Sequence, residues 1–203
     1  MNNNKVTNTE KMLGRQRGVT LIEVIVVMAI STILIMIAGL GIGTFLRKYK
    51  ELSAWAELQN DAMECLNTIK NGVPVGQSRN LEYYGVTNAM KLELPNTISN
   101  TAQSIMITPP ANSSSQENDF ANFYLYDGAI RCRYRFYGVQ TPAPIYLFPK
   151  QENLETMSID KFQITKINSG KDVLAIQVEL NARVKTGRDS YRQVKFKTKM
   201  VKK

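Results

Sequence analysis

From Val19 to Leu46 the chain is apolar almost without interruption, VTLIEVIVVMAISTILIMIAGLGIGTFL, and Glu23 is the single charge within it. The 23 residues from Val24 to Leu46 carry no formal charge. At ~1.5 Å per residue they make a helix of roughly 35 Å, enough to cross a bilayer. After Lys48 the pattern becomes one-sided: Trp55, Leu58, Ala62, Cys65, Leu66 and Ile69 recur at the three-and-four spacing of one helix face, while Glu51, Glu57, Asp61 and Glu64 fall on other faces. Asn71-Gly72 followed by Val73-Pro74 supplies the stop, a glycine for a left-handed cap and a proline that forbids continuation. The pattern predicts one long helix, apolar all round in its first half and packed on a domain in its second.

Alternation takes over further along. Short strands are expected at Lys91 to Leu94 and Ser104 to Thr108, followed by a loop at Pro109-Pro110 and Asn112-Ser113-Ser114-Ser115. In ANFYLY-DG-AIRCRYRFY, from Ala121 to Tyr137, Asp127-Gly128 between two alternating runs is a hairpin signal. That turn sets Leu125 opposite Ile130 and Phe123 opposite Cys132, with Tyr134 and Phe136 continuing the apolar side. The other side carries Tyr124, Tyr126, Arg131, Arg133 and Arg135. Pro142, Pro144 and Pro149 mark a connection. Met157 to Ile167 reads as a strand whose alternation slips near Asp160-Lys161, and Asn168-Ser169-Gly170-Lys171 turns it. Leu174, Ile176, Val178 and Leu180 then alternate, Thr186-Gly187-Arg188-Asp189 turns again, and Val194, Phe196, Thr198 and Met200 form one side of a last strand lined on the other by Lys195, Lys197 and Lys199. The expected fold class is α+β, a long N-terminal helix packed on an antiparallel sheet.

Composition narrows the chemistry. Among 203 residues there is no histidine, so a histidine general base and a histidine metal site are excluded. Nothing implies a cofactor or a catalytic residue, and no enzymatic activity is expected. The net charge of +9 collects at the ends: Lys5, Lys11, Arg15 and Arg17 against Glu10 in the head, and nine basic residues against Asp189 from Arg183 to Lys203. Two readings of the basic faces stand side by side. Arg131, Arg133, Arg135, Lys195, Lys197 and Lys199 form either a surface for nucleic acid or an acidic partner, or solvated strand faces and a lysine-protected edge.

Three explanations compete for the head and the apolar run. A secretory signal has an apolar core of ~7 to 15 residues ending in a small-residue cleavage site, and this run is longer. A plain single-pass anchor has no need of Glu23, since a carboxylate near hydrocarbon costs ~2.5 to 3.5 kcal/mol, although an interfacial position at a helix N-terminus eases that cost. The third explanation uses every residue. Arg15-Gln16-Arg17-Gly18, then Val19, Thr20-Leu21-Ile22-Glu23 and a long apolar helix, resembles the processing site of type IV pilins and type II secretion pseudopilins. The resemblance implies a cut by a prepilin peptidase between Gly18 and Val19 on the cytoplasmic side and N-methylation of Val19, with Arg15 and Arg17 as the basic part of the leader. It also gives Glu23 a role, neutralising the amino terminus of a neighbouring subunit in a filament. At 4 Å and an effective dielectric of ~20 such a pair is worth about 4 kcal/mol before desolvation.

The sequence departs from the family pattern in three places, the first being a leader of 18 residues, longer than that of many pseudopilins. Val19 stands where Phe is frequent, and Gly39, Gly41 and Gly43 around Leu40 stand where many major pilins have a proline. Each glycine costs ~1 kcal/mol relative to alanine, which marks residues 39–43 as the place where the helix loosens on entering a filament, or as a small-residue packing surface. The expected organisation is a cleaved leader at 1–18, a transmembrane and filament-core helix at 19–46, and a pilin-like domain at 47–203, itself divided into an amphipathic helix at 47–71, a variable connection at 72–119 and an antiparallel sheet at 120–203. The aromatic hairpin followed by a long C-terminal hairpin resembles J-type minor pseudopilins and W-type minor pilins.

The expected function is therefore that of a structural filament subunit, in secretion, adhesion, motility or DNA uptake. Expected partners are other pilin or pseudopilin subunits, the peptidase, an inner-membrane assembly platform and membrane lipid. The helix is expected to cross the cytoplasmic membrane with its N-terminus inside and its domain outside. Two alternatives remain, a DNA-binding subunit of a competence pilus and a plain membrane-anchored binding domain. A domain outside the cytoplasm permits a Cys65–Cys132 disulfide worth ~4 kcal/mol by loop entropy; two buried free thiols are the other reading.

Overall fold

The computed structural model describes residues 18–76, 82–95, 100–111, 118–168, 170, 172–187 and 190–203. Arg15 and Arg17, the loop residues Asn112 to Ser115, and the turn residues Ser169, Lys171, Arg188 and Asp189 lie outside them. The chain divides into two compact units, 1–47 and 48–203. Helix α1, Leu21–Asn71, begins in the first and ends in the second.

In the first unit every described residue is exposed within the chain, Leu34, Ile35 and Leu40 among them. The helix is long and apolar enough to cross a membrane. It continues unbroken through Gly39, Gly41 and Gly43. A Cβ at any of the three would meet nothing within 4 Å.

In the second unit Leu58, Ala62, Cys65, Leu66 and Ile69 of α1 are buried. Trp55 is half-buried and donates its indole N–H to the Gln193 carbonyl at 3.4 Å. One assignment needs correcting: Asp61, expected on a polar face, is buried, because Lys150 reaches over to it at 2.9 Å. The helix ends at Asn71, and Gly72 takes φ +109. A Cβ there would lie 2.6 Å from backbone atoms of Tyr84 and Gly85, so both conformation and close approach require the glycine.

The strands that follow are β1 Val73–Val75, β2 Glu82–Tyr84, β3 Lys91–Glu93, β4 Thr101–Ala102, β5 Ser104–Thr108, β6 Phe120–Tyr126, β7 Ala129–Phe136, β8 Val139–Gln140, β9 Ile145–Phe148, β10 Met157–Lys166, β11 Ala175–Lys185 and β12 Tyr191–Val201. Every pairing among them is antiparallel. β1 and β2 form a ribbon, β3-β5-β6-β7-β8 with β9 on β7 form one sheet, and β12-β11-β10-β4 form another. A single sheet over 120–203 was expected; instead the aromatic hairpin and the C-terminal hairpin belong to different sheets. The stretch expected to be a variable connection supplies β3 and β5 to the first and β4 to the second.

Local chemistry explains the hairpins. Asp127 and Gly128 both have positive φ, 50 and 71, as a two-residue type I′ turn demands. That turn fixes the register expected: Leu125 opposite Ile130, Phe123 opposite Cys132, Tyr124 opposite Arg131. In β10 the pairing with β11 skips from Ile159 to Lys161, so Asp160 is the extra residue of a bulge. The bulge switches the inward parity from Met157 and Ile159 to Phe162 and Ile164. One core cluster joins the α1 face to Ile105, Ile107, Phe123 and Ile130 of the first large sheet and Phe162, Ile176, Val178 and Leu180 of the second. Each such side chain contributes ~1.5 to 3 kcal/mol by burial.

Candidate functional site

The start of α1 is built by four residues. Gly18, Val19 and Thr20 are exposed and belong to no helix or strand, and the helix begins at Leu21. Thr20 is the N-cap. Its hydroxyl oxygen accepts the backbone N–H of Glu23 at 3.3 Å, and Glu23 Oε2 accepts the backbone N–H of Thr20 at 2.8 Å. The Thr20 hydroxyl also donates to Oε2 at 3.0 Å. This reciprocal arrangement is a capping box, which satisfies two helix-start donors at once. It matters more in an apolar setting, where no water replaces a lost partner. The carboxylate read from charge alone as an awkward acid is thus held by the helix it opens. Threonine followed three places later by glutamate before an apolar run is the sequence signal for such a cap, and it stands at Thr20 and Glu23.

Among the described residues Gly18 has no packing reason to be glycine, because a Cβ there would meet none of their atoms within 4 Å. The bond between Gly18 and Val19 lies outside the helix, in an exposed segment.

Residues 13–39 match the family model of the prokaryotic N-terminal methylation motif. This motif is the signature of type IV pilins and pseudopilins. The matched stretch contains Gly18, Val19, the Thr20–Glu23 cap and the first part of α1. No curated protein and no solved structure matches the chain. The long N-terminal helix followed by antiparallel sheets is an α+β, pilin-like layout.

Outside the methylation motif, the structure places the arginines and lysines that the sequence groups as one basic surface in different sheets. Arg131, Arg133 and Arg135 share one face of β7, with Tyr124 and Tyr126 of β6 beside them. Lys195, Lys197 and Lys199 are exposed on β12, in the other large sheet. Lys197 and Lys161 clamp Glu179 at 2.9 and 2.6 Å. Hydrogen bonds first from Lys161 and then from Lys197 hold the Glu179 carboxyl down at about 2. Part of the lysine face is therefore cross-strand charge pairing.

Cys65 of α1 and Cys132 of β7 are both buried free thiols, so of the two readings offered the structure holds the unbridged one. Burial pushes the Cys132 thiol up to about 12, and burial followed by the charge of Cys132 raises that of Cys65. Neither is a nucleophile at neutral pH. Among the described residues no group of histidine, cysteine and carboxylate side chains has the arrangement of a metal site.

Proposed function

We propose that the chain is a structural subunit of a type IV pilus-like filament, made as a precursor, cut between Gly18 and Val19, and N-methylated at Val19. The match of residues 13–39 to the methylation motif carries this reading. The exposed, non-helical Gly18–Val19 bond and the absence of any packing demand for Gly18 support it, since the glycine is then read by the peptidase. Arg15 and Arg17 precede the cut in the cytoplasmic leader. The apolar stretch of α1 anchors the subunit in the cytoplasmic membrane, with residues 48–203 on the outer side, and later packs with the same stretch of other subunits. There Glu23 meets the amino terminus of a neighbour. Partners are the peptidase, an assembly platform and other pilin or pseudopilin subunits. The small domain with its long C-terminal hairpin suits a minor subunit, of a pilus or a pseudopilus.

Intact-mass measurement of the chain from cells that contain a prepilin peptidase tests this. The expected product begins at methylated Val19. Substitution of Gly18 leaves a full-length precursor outside the filament, whereas Glu23→Val is cut but enters filaments poorly. A wild-type chain retaining its leader in such cells, or normal filament entry by both variants, overturns the assignment.

A further inference from the structure

The outward face of the β6–β7 hairpin holds a cleft of about 410 Å³ lined by Asn122, Tyr124, Tyr126, Arg131, Arg133 and Pro144. No carboxylate is among these residues. At its centre Arg131 is nearly enclosed, with 11% of its side chain exposed. Its guanidinium carbon lies 5.1 Å from the centre of the Tyr126 ring and 4.3 Å from that of Tyr146, which faces it across the β7–β9 pair. Among the described residues the acid paired with it is Asp127, whose oxygen lies 3.7 Å from a terminal nitrogen and whose side chain is 82% exposed. That distance is beyond a hydrogen bond, and an exposed pair of this kind contributes little. Arg131 Nε is shut off from solvent with no hydrogen-bond partner among the described residues. A guanidinium is thus flanked by two aromatic rings, and its one ion pair among the described residues is the exposed 3.7 Å contact with Asp127. Arg133, two residues on and on the same side, is exposed and adds a second positive charge to the cleft.

We propose that this cleft is a recognition site for a single carboxylate on an acidic protein segment, held in the fork of Arg131 with Arg133 and the Asn122 amide alongside. The planar fork matches a carboxylate with two parallel hydrogen bonds, and stacking beforehand reduces the entropy lost on binding. Three observations favour a protein carboxylate over a nucleic-acid backbone. The basic residues do not continue as a track, because the lysines of β12 belong to the other sheet and Lys197 is paired with Glu179. Tyr126 and Tyr146, which would stack bases, are already stacked on Arg131. Arg135 is turned to Phe120, with its guanidinium 5.8 Å from that ring, and does not line the cleft. The site lies wholly within residues 122–146 and does not depend on whether the leader is cut.

The test is an NMR titration of the full-length protein in neutral detergent, labelled with nitrogen isotope in arginine. Probes are a blocked Gly-Ser peptide with one central glutamate, the same peptide with glutamine, and an oligothymidylate. The glutamate peptide is expected to shift the Nε–H resonance of Arg131, with the glutamine peptide and the oligothymidylate leaving it in place. Arg131→Lys keeps the charge without the fork and is expected to weaken glutamate-peptide binding about tenfold, read at the Nε–H resonance of Arg133. Arg133→Gln, at an exposed position, is expected to weaken it roughly threefold. Equal response to the two peptides, response to neither, or stronger response to the oligothymidylate overturns the proposal, and these comparisons need only the unaltered protein.

Discussion

Helix α1 contains two stretches that share a backbone geometry and little else. From Leu21 to Arg47 no residue is buried within the chain, and isoleucine, leucine, valine and methionine occur on every side. From Lys48 to Asn71 the buried residues are confined to one face, beginning at Leu58 and ending at Ile69. The difference reflects the surroundings each sequence is written for. A helix facing hydrocarbon or other apolar helices has no reason to be one-sided, whereas one with water on one flank and a protein core on the other must be. Periodicity therefore reports the presence of water on one side rather than the strength of packing. The same substitution should do different things in the two stretches.

The largest contrast comes from the core. Leu58→Ala is expected to cost ~2 to 5 kcal/mol of domain stability by leaving a cavity, with membrane association unchanged. Denaturant unfolding and flotation with vesicles measure the two separately. Leu34→Arg should do the reverse, opposing membrane insertion by ~2.5 to 3.5 kcal/mol while the unfolding of the domain is unaltered. If Leu34→Arg destabilised the domain as much as Leu58→Ala, the two stretches would not be independent. A smaller loss is expected for Lys150→Ala, which leaves the buried Asp61 carboxylate without its cation; ~1 to 3 kcal/mol is expected. Replacing Asp61 by leucine in the same variant should restore much of it, which separates an orphaned charge from lost packing.

The smallest effect belongs to Glu179, held by Lys161 and Lys197. Its folded value of about 2 lies below the ordinary 4.5, so its contribution is fully present above 4.5 and lost as pH falls toward 2. Glu179→Gln should accordingly lower the melting temperature slightly at neutral pH, with the gap to the parent closing over that acid window. A gap independent of pH would assign the loss to packing instead.

What could be read from the chain alone was local. The helix and its stop at Gly72, the Asp127-Gly128 register and the slip at Asp160 are each written in neighbouring residues. Their outcomes follow from turn geometry and from the parity of side chains on a strand. The division into two sheets was not legible, because it depends on which distant strand each hairpin meets: β5 against β6, and β4 against β10. Asp61 was misplaced for the same reason, since its partner Lys150 sits in a connection far along the chain. β9 was hidden between Pro144 and Pro149, which signal a loop and yet suit a short strand at a sheet margin. In the methylation motif, attention to the charge of Glu23 concealed the hydrogen bonds that its spacing from Thr20 makes available.

The position of the cap has a consequence for processing itself. The proposed cut between Gly18 and Val19 falls one residue ahead of the N-cap, so the hydrogen bonds between Thr20 and Glu23 lie wholly on the retained side. On the proposed reading the cut removes the leader's four basic side chains and its one acidic one, and the neutral amide at Val19 becomes an ammonium. That ammonium stands at the positive end of a helix dipole, a position costing ~0.3 to 1 kcal/mol, which a nearby carboxylate offsets. On the proposed reading, cleavage leaves the capping hydrogen bonds in place and gives the helix start an electrostatic valence to fill.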